Sequence, residues 1–132
     1  MLQGKNKLEV IFMNIPVIHD SEYRLCLILW EVGPINSTKL VKICKERIGW
    51  AKATTYTVIR RLSERGILKN ENTIVSMLHT KEEVQQSAME RLLNKTFEGS
   101  LPAFIAAFGH SKKLKESEIA ELESMIENFQ GE

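Results

Sequence analysis

The stretch from residue 50 to residue 68, WAKATTYTVIRRLSERGIL, places hydroxyl and guanidinium groups at helical spacing. At about 100° per residue, Thr55, Val58, Ile59 and Leu62 share one sector of about 100°, which suits a core. Arginine can donate paired hydrogen bonds to guanine or to a phosphate, and threonine can contact a thymine methyl or a phosphate. The residues on the opposite side and its edges are therefore candidate DNA contacts: Lys52, Ala53, Thr54, Tyr56, Thr57, Arg60 and Arg61.

The charge distribution is uneven along the chain, although the net charge is only +1. Residues 37–71 carry nine Lys/Arg and three Asp/Glu, giving +6, whereas residues 1–36 give −1 and residues 72–132 give −4. A localised basic segment in a nearly neutral protein suits a polyanionic partner. On charge alone, a solvated helical face is an equally good interpretation.

The order of predicted elements indicates how this basic segment is held. Helical spacing and capping residues predict three helices, and two short β-rich runs follow them with a tight connection between. This order predicts a mostly α fold with a small β wing, a winged helix-turn-helix in which the third helix enters the major groove. Lys69 is the only positive charge of the wing and is a further candidate contact. We expect an N-terminal arm of unassigned role in 1–17, the winged helix in 18–79 and a helical dimerisation domain in 80–132.

The C-terminal third has more apolar surface than a small domain needs for its own core. Two segments carry it, and a large apolar patch on a soluble chain marks an interface. The alternative is that both segments fold back onto their own domain. The candidate dimer residues are Leu101, Phe104, Ile105, Phe108, Ile119, Leu122, Ile126 and Phe129.

Several functional classes lack support in the sequence. No apolar run approaches the roughly 18 residues of a membrane span, so direct membrane insertion is not expected. Cys26 and Cys44 lie among apolar residues, which favours buried thiols in a reducing cytoplasm over a disulfide. The three histidines have no spaced acidic or thiol partners, so we expect no enzyme, no cofactor and no metal site.

The segments IHDSEYRLCLILWEVGPINSTKLV and GWAKATTYTVIRRLSERGIL together resemble the penicillinase-repressor (BlaI/MecI) family of bacterial transcription factors. The resemblance covers roughly residues 17–130, because the C-terminal segment is also similar to that family's dimerisation segment. It implies a homodimeric repressor on a dyad-symmetric operator in double-stranded DNA, released by cleavage in its C-terminal part through a membrane-bound sensor protease system. The resemblance also implies an association with antibiotic resistance. The matching residues are Ser21, Glu22, Ile28, Leu29, Trp30, Trp50, Thr54, Thr57, Arg61, Leu62 and Gly66.

Several features depart from the family pattern, among them an N-terminal arm longer than the resemblance predicts and a short wing that has few of the family's basic residues and no Gly at its tip. Two single positions also differ. Ala51 stands where a serine usually caps the recognition helix, and Ala107–Phe108 stands opposite the family's Asn-Phe cleavage site. Other classes of function remain open from the residues. A metal-responsive relative would carry a C-terminal cysteine cluster, which this sequence lacks, whereas a ligand-responsive winged-helix regulator stays possible. A protein-interaction module without specific DNA binding is the third alternative.

Overall fold

A computed structural model describes residues 14–111 and 114–130 of the chain. These ranges contain six helices and three short strands, an order that confirms the mostly α fold with a small β wing. Residues up to Arg91 and residues from Leu92 onward form two compact units. The domain boundary expected between residues 79 and 80 stays a prediction. The elements are α1 (Asp20–Val32), β1 (Ile35–Asn36), α2 (Ser37–Ile48), α3 (Lys52–Glu64), β2 (Leu68–Glu71), β3 (Ile74–Met77), α4 (Lys81–Thr96), α5 (Leu101–Ser111) and α6 (Glu116–Gln130).

The core of the first unit is built on the apolar stripes of α1, α2 and α3. The helical period predicts that four residues of α3 face this core. The structure confirms it, since the four are buried: Thr55, Val58, Ile59 and Leu62. The N-cap of α2 is Asn36, whose side-chain oxygen accepts the Thr38 N–H at 2.8 Å, and its C-cap is Gly49. Gly49 has φ of +69°, a left-handed conformation that glycine adopts without steric cost. The core stripe fixes which side of α3 is left outside.

The wing belongs to a three-stranded antiparallel sheet with strand order β1-β3-β2. The sequence predicted two of these strands and missed β1, which is only two residues long and pairs Ile35 with Val75. Strands β2 and β3 are joined by Asn72 and Thr73, with φ of +51° and +66°. Positive φ at both central residues is the requirement of a type I′ turn, whose twist matches a β-hairpin.

The N-terminal arm of residues 1–17 falls partly outside the described residues, which begin at residue 14. Ile15 is 2% exposed and belongs to the core of the first unit. The end of the arm therefore packs against the winged helix, a role that composition did not predict.

The second unit contains aromatic contacts along α5. The rings of Phe97 and Phe104 meet edge-on at 5.5 Å, and Phe104 stacks on Phe108 at 6.3 Å between centroids. Most apolar side chains of α5 and α6 are nonetheless exposed. Within the described ranges, no helix is long and apolar enough to cross a membrane.

Candidate nucleic-acid interface

The outward face of α3 carries the residues that the sequence predicted for it. Lys52, Ala53, Thr54, Arg60 and Arg61 are exposed, and Tyr56 and Thr57 are half-buried. A shallow depression of about 360 Å³ runs beside this face and is lined in part by Trp50, Thr54, Thr57 and Arg61. Hydroxyl and guanidinium groups are thus brought together on one side of a 13-residue helix.

The two adjacent arginines of α3 have different surroundings. The Arg60 guanidinium donates to the Glu64 carboxylate at 3.1 Å, one helical turn away, and both side chains are 61% exposed. Such an exposed pair contributes only about 0.3–0.5 kcal/mol, so a nucleic acid can displace the carboxylate at small cost. Within residues 14–111 and 114–130, no carboxylate lies within ion-pair distance of Arg61. Lys52 has no such partner in these ranges either, so both Arg61 and Lys52 can bind an anion without first giving up a carboxylate.

The Tyr56 side chain lies beside the beginning of α2 rather than on the fully exposed side of α3. Hydrogen bonds with Ser37 and Thr38 lower the pKa of its phenol, and the positive charge of Lys52 contributes in the same direction. Ser37 is buried and Thr38 is exposed, so the Thr38 hydroxyl also lies on the surface next to Tyr56. Sequence reasoning did not assign Thr38 to the site. The only available signal was its position just after the Asn36 cap, where a helix N-terminus favours anions.

The wing offers little positive charge. The Lys69 ammonium lies 3.6 Å from the Glu71 carboxylate on the same strand, so the pair is neutral overall. The turn between β2 and β3 is hydrogen-bonded to the start of α2. The Thr73 carbonyl accepts the Ser37 N–H at 2.8 Å, and the Thr73 hydroxyl accepts from the side-chain amide of Asn36 at 3.1 Å. The wing therefore presents little net positive charge to a polyanion.

A buried ion pair fixes the far end of α3. Arg65, the C-cap residue of α3, donates to the two carboxylate oxygens of Glu22 on α1 at 2.9 and 2.6 Å and to the Val17 carbonyl at 2.9 Å. Glu22 also accepts the His19 N–H at 3.0 Å. The Arg65 guanidinium holds the pKa of the Glu22 carboxyl below its ordinary value, against the opposing effect of burial. The sequence singled out neither partner for this role, since 43 residues separate them.

The cysteines and the metal-ligating residue types of the described ranges form no site of their own. Cys26 and Cys44 are buried and free, and burial raises the pKa of Cys26 to about 12, which keeps it a thiol. No group of three His, Cys, Asp or Glu residues that could hold a metal ion is found among residues 14–111 and 114–130.

Three helices followed by a twisted hairpin, with a basic and hydroxylated face on the third helix, define a winged-helix protein of the DNA-binding type. The sequence model of the penicillinase repressor family matches residues 18–128, and the chain belongs to that family of transcriptional repressors. It is 25% identical over 118 residues to the penicillinase repressor of Bacillus licheniformis, covering 86% of this chain and 92% of that protein. It is also 31% identical over 85 residues to an uncharacterized 16.5 kDa protein in the ptsI 3′ region of Latilactobacillus sakei, covering 64% and 58% of the two chains.

Proposed function

We propose that the protein is a sequence-specific repressor that reads the major groove of double-stranded DNA with α3 and acts as a homodimer on a dyad-symmetric operator. The observation that carries the proposal is the exposed face of α3, where Thr54 and Thr57 lie beside an arginine without a carboxylate partner in the described ranges. Ala53 on the same face lets the helix approach the base edges closely. Arg60 and Arg61 supply the donors that distinguish guanine or clamp a phosphate.

The first experiment measures operator affinity on a duplex selected from random DNA by the full-length protein. Arg61→Ala and Arg60→Ala are each expected to weaken binding by about 5–150-fold if the side chain reads a base. Arg47→Ala is the matched control, because Arg47 is also an exposed arginine paired with a carboxylate, Glu31, but lies in the last turn of α2. Equal affinity of the two α3 variants and the control would remove α3 as the reading helix.

The salt dependence of the same variants separates base contacts from phosphate contacts. A dimer that neutralises about six to ten phosphates gives a slope of log K against log salt of about −5 to −9. Each phosphate contact that is lost reduces the magnitude of the slope by about 1. Loss of a base contact leaves the slope unchanged but makes binding less selective for the operator sequence. Binding that is weak and indifferent to sequence would instead support an interaction module.

The homodimer is proposed from the exposed apolar surface of the second unit. The side chains of α5 and α6 leave a groove of about 430 Å³ whose lining includes Phe104, Phe108, Leu122 and Met125. Half-sites about ten base pairs apart, or a multiple of that, would suit two α3 helices related by a two-fold axis. Six of the residues predicted for the interface are between 41% and 64% exposed: Leu101, Ile105, Ile119, Leu122, Ile126 and Phe129.

Sedimentation of an α6 variant tests the dimer. Leu122→Asp with Ile126→Asp places two charges in the apolar surface and is expected to give a monomer. The control is Glu123→Gln with Glu127→Gln, which changes the neighbouring face of the same helix without adding charge. A double aspartate variant that still sediments as a dimer would contradict the assignment of α6 to the interface.

Relief of repression by proteolysis is part of the proposal, with Ala107–Phe108 as the bond opposite the family's cleavage site. This bond lies within α5, and Ala107 is exposed while Phe108 is half-buried. A protease binds its substrate in an extended conformation, so cleavage here requires that α5 unwind locally. Mass spectrometry of the protein recovered from induced cells would give fragments ending at Ala107 and beginning at Phe108. Relief of repression with an intact chain would instead favour a sensor of another kind.

A further inference from the structure

A second concave surface lies in the first unit and shares no residue with α3. It is a cleft of about 290 Å³ between the end of the N-terminal arm, the α1 residue Tyr23 and one face of α4. Ile15, Val17 and Tyr23 form one wall, and Val84 and Ser87 form the other. Ligand sites are typically mostly apolar and have volumes of about 300–1,000 Å³, so this cleft has the size of a site for a small molecule.

Ser87 is one of the polar residues that line the cleft, and it is 1% exposed. Its Oγ atom has no hydrogen-bond partner, the single buried side-chain atom of this kind among the described residues. A buried hydroxyl without a partner has lost its hydrogen bonds to water without replacement, which destabilises the folded state, so such a group is uncommon in native structures. A ligand that accepts a hydrogen bond in the cleft would remove this cost.

A cation completes the arrangement one helical turn further along α4. Arg91 also lines the cleft, and its separation of four residues from Ser87 places both side chains on one face of the helix. In the parts of the chain that the structure describes, no carboxylate lies within ion-pair distance of Arg91. The Ser87 hydroxyl and the Arg91 guanidinium can both donate hydrogen bonds to a carboxylate, and the apolar walls of the cleft suit a hydrocarbon group attached to that carboxylate.

We propose that this cleft binds a small apolar monocarboxylate, with the carboxylate between Ser87 and Arg91 and the hydrocarbon against Ile15, Val17 and Val84. The volume limits the ligand to about ten non-hydrogen atoms, the size of octanoate. Apolar walls exclude a strongly hydrated polyanion such as DNA. For a ligand of this size, we expect a dissociation constant on the order of 0.1–1 mM.

The experiment is a titration of the isotope-labelled full-length protein with sodium octanoate, followed by two-dimensional amide NMR. We expect saturable changes at Val84, Ser87, Ala88 and Arg91, and weaker binding of octanol, which has the same chain without the charge. Arg91→Gln is expected to weaken octanoate binding by about tenfold, while Lys95→Gln, one turn further along α4, leaves it unchanged. Ser87→Ala is expected to weaken binding without lowering stability, because the hydroxyl has no partner in the free protein.

Three results would overturn the proposal. The first is the absence of saturable changes up to about 10 mM octanoate, well above the expected dissociation constant. The second is octanoate binding outside the cleft, shown either by amide changes confined to the apolar groove of α5 and α6 or by binding that Ala88→Phe, which places a ring in the cleft, does not reduce. The third is a nuclear Overhauser contact in the free protein between the Ser87 side chain and any residue of 1–13, which would show that the chain itself occupies the cleft.

Discussion

Replacing Glu22 with glutamine should remove a large part of the stability of the winged-helix unit. The side chain is 5% exposed and accepts three hydrogen bonds, two from Arg65 and one from the His19 N–H. Glutamine keeps the acceptor for His19 but puts an amide donor against the guanidinium, and it leaves the Arg65 charge without a counterion. Breaking a fully buried pair in this way costs about 3–5 kcal/mol. Because the Arg65 side chain is 30% exposed, water offsets part of the loss, and we expect about 2–3 kcal/mol.

The matched control is Glu31→Gln on the same helix. Glu31 accepts from Arg47 at 2.8 Å, but the two side chains are 62% and 45% exposed, so solvent screens the pair and its loss should cost much less than the loss of Glu22. The assay is urea unfolding at one protein concentration, followed by tryptophan fluorescence. Both tryptophans of the chain, Trp30 and Trp50, lie in the first unit, so the signal reports on that unit. If the two variants lose the same free energy of unfolding, burial does not govern this ion pair and the reasoning is refuted.

The pH dependence of the same variants gives an independent check. The pKa of Glu22 is lower in the folded protein than its ordinary value of 4.5, so the ion pair stabilises the folded state fully above that value. The contribution is lost as the pH falls from 4.5 through the lowered pKa, because the unfolded chain binds the proton first. The wild-type protein should therefore lose stability more steeply than Glu22→Gln in this range, and the two should converge. Parallel curves would contradict a lowered pKa.

Two other predictions concern groups whose environment is equally well defined. Ala51→Ser should raise the free energy of unfolding by about 0.5–2 kcal/mol in the same urea assay, because the extended backbone of this N-cap position lets a serine oxygen accept an N–H of the first turn. Ala51→Val is the control and should bring no such gain, because its side chain has no oxygen to accept that N–H. Cys26 should resist iodoacetamide in the native protein at pH 8, since a thiol with a pKa of about 12 is almost wholly protonated, and mass spectrometry should find it alkylated only after unfolding. Rapid native alkylation of Cys26 would show that it is not buried in solution.

The helical period predicted the parts of the site that depend on local sequence. The four buried residues of α3 follow from their spacing, and the exposed basic face follows as their complement. The capping box of α4 was equally local, since Thr80 and Glu83 exchange hydrogen bonds at 2.7 and 3.0 Å. In each of these cases, the interacting residues are at most one or two helical turns apart.

The features that the sequence did not predict depend on contacts between distant residues. Strand β1 is too short for a periodic signal and exists because Ile35 meets Val75 on β3. The partnership of Glu22 with Arg65 has no local signature, and either residue could have been a solvated charge. Similarly, the cleft depends on the position of Ile15 relative to Ser87, which only the folded chain defines. Composition identifies such residues but does not indicate which of them meet.

The two helices of the helix-turn-helix begin in different ways, and isotope exchange should report the difference. The first two N–H groups of α2 are bonded, to the Thr73 carbonyl and to the Asn36 side chain. At the start of α3, no side chain of the described residues accepts the corresponding N–H groups, because the methyl side chain of the N-cap residue Ala51 has no oxygen. The backbone amides of Lys52 and Ala53 should therefore exchange with deuterium faster than those of Ser37 and Thr38. A phosphate oxygen that accepts these N–H groups would slow their exchange. The exchange rate of each amide at the start of α3 would therefore report whether DNA is bound there.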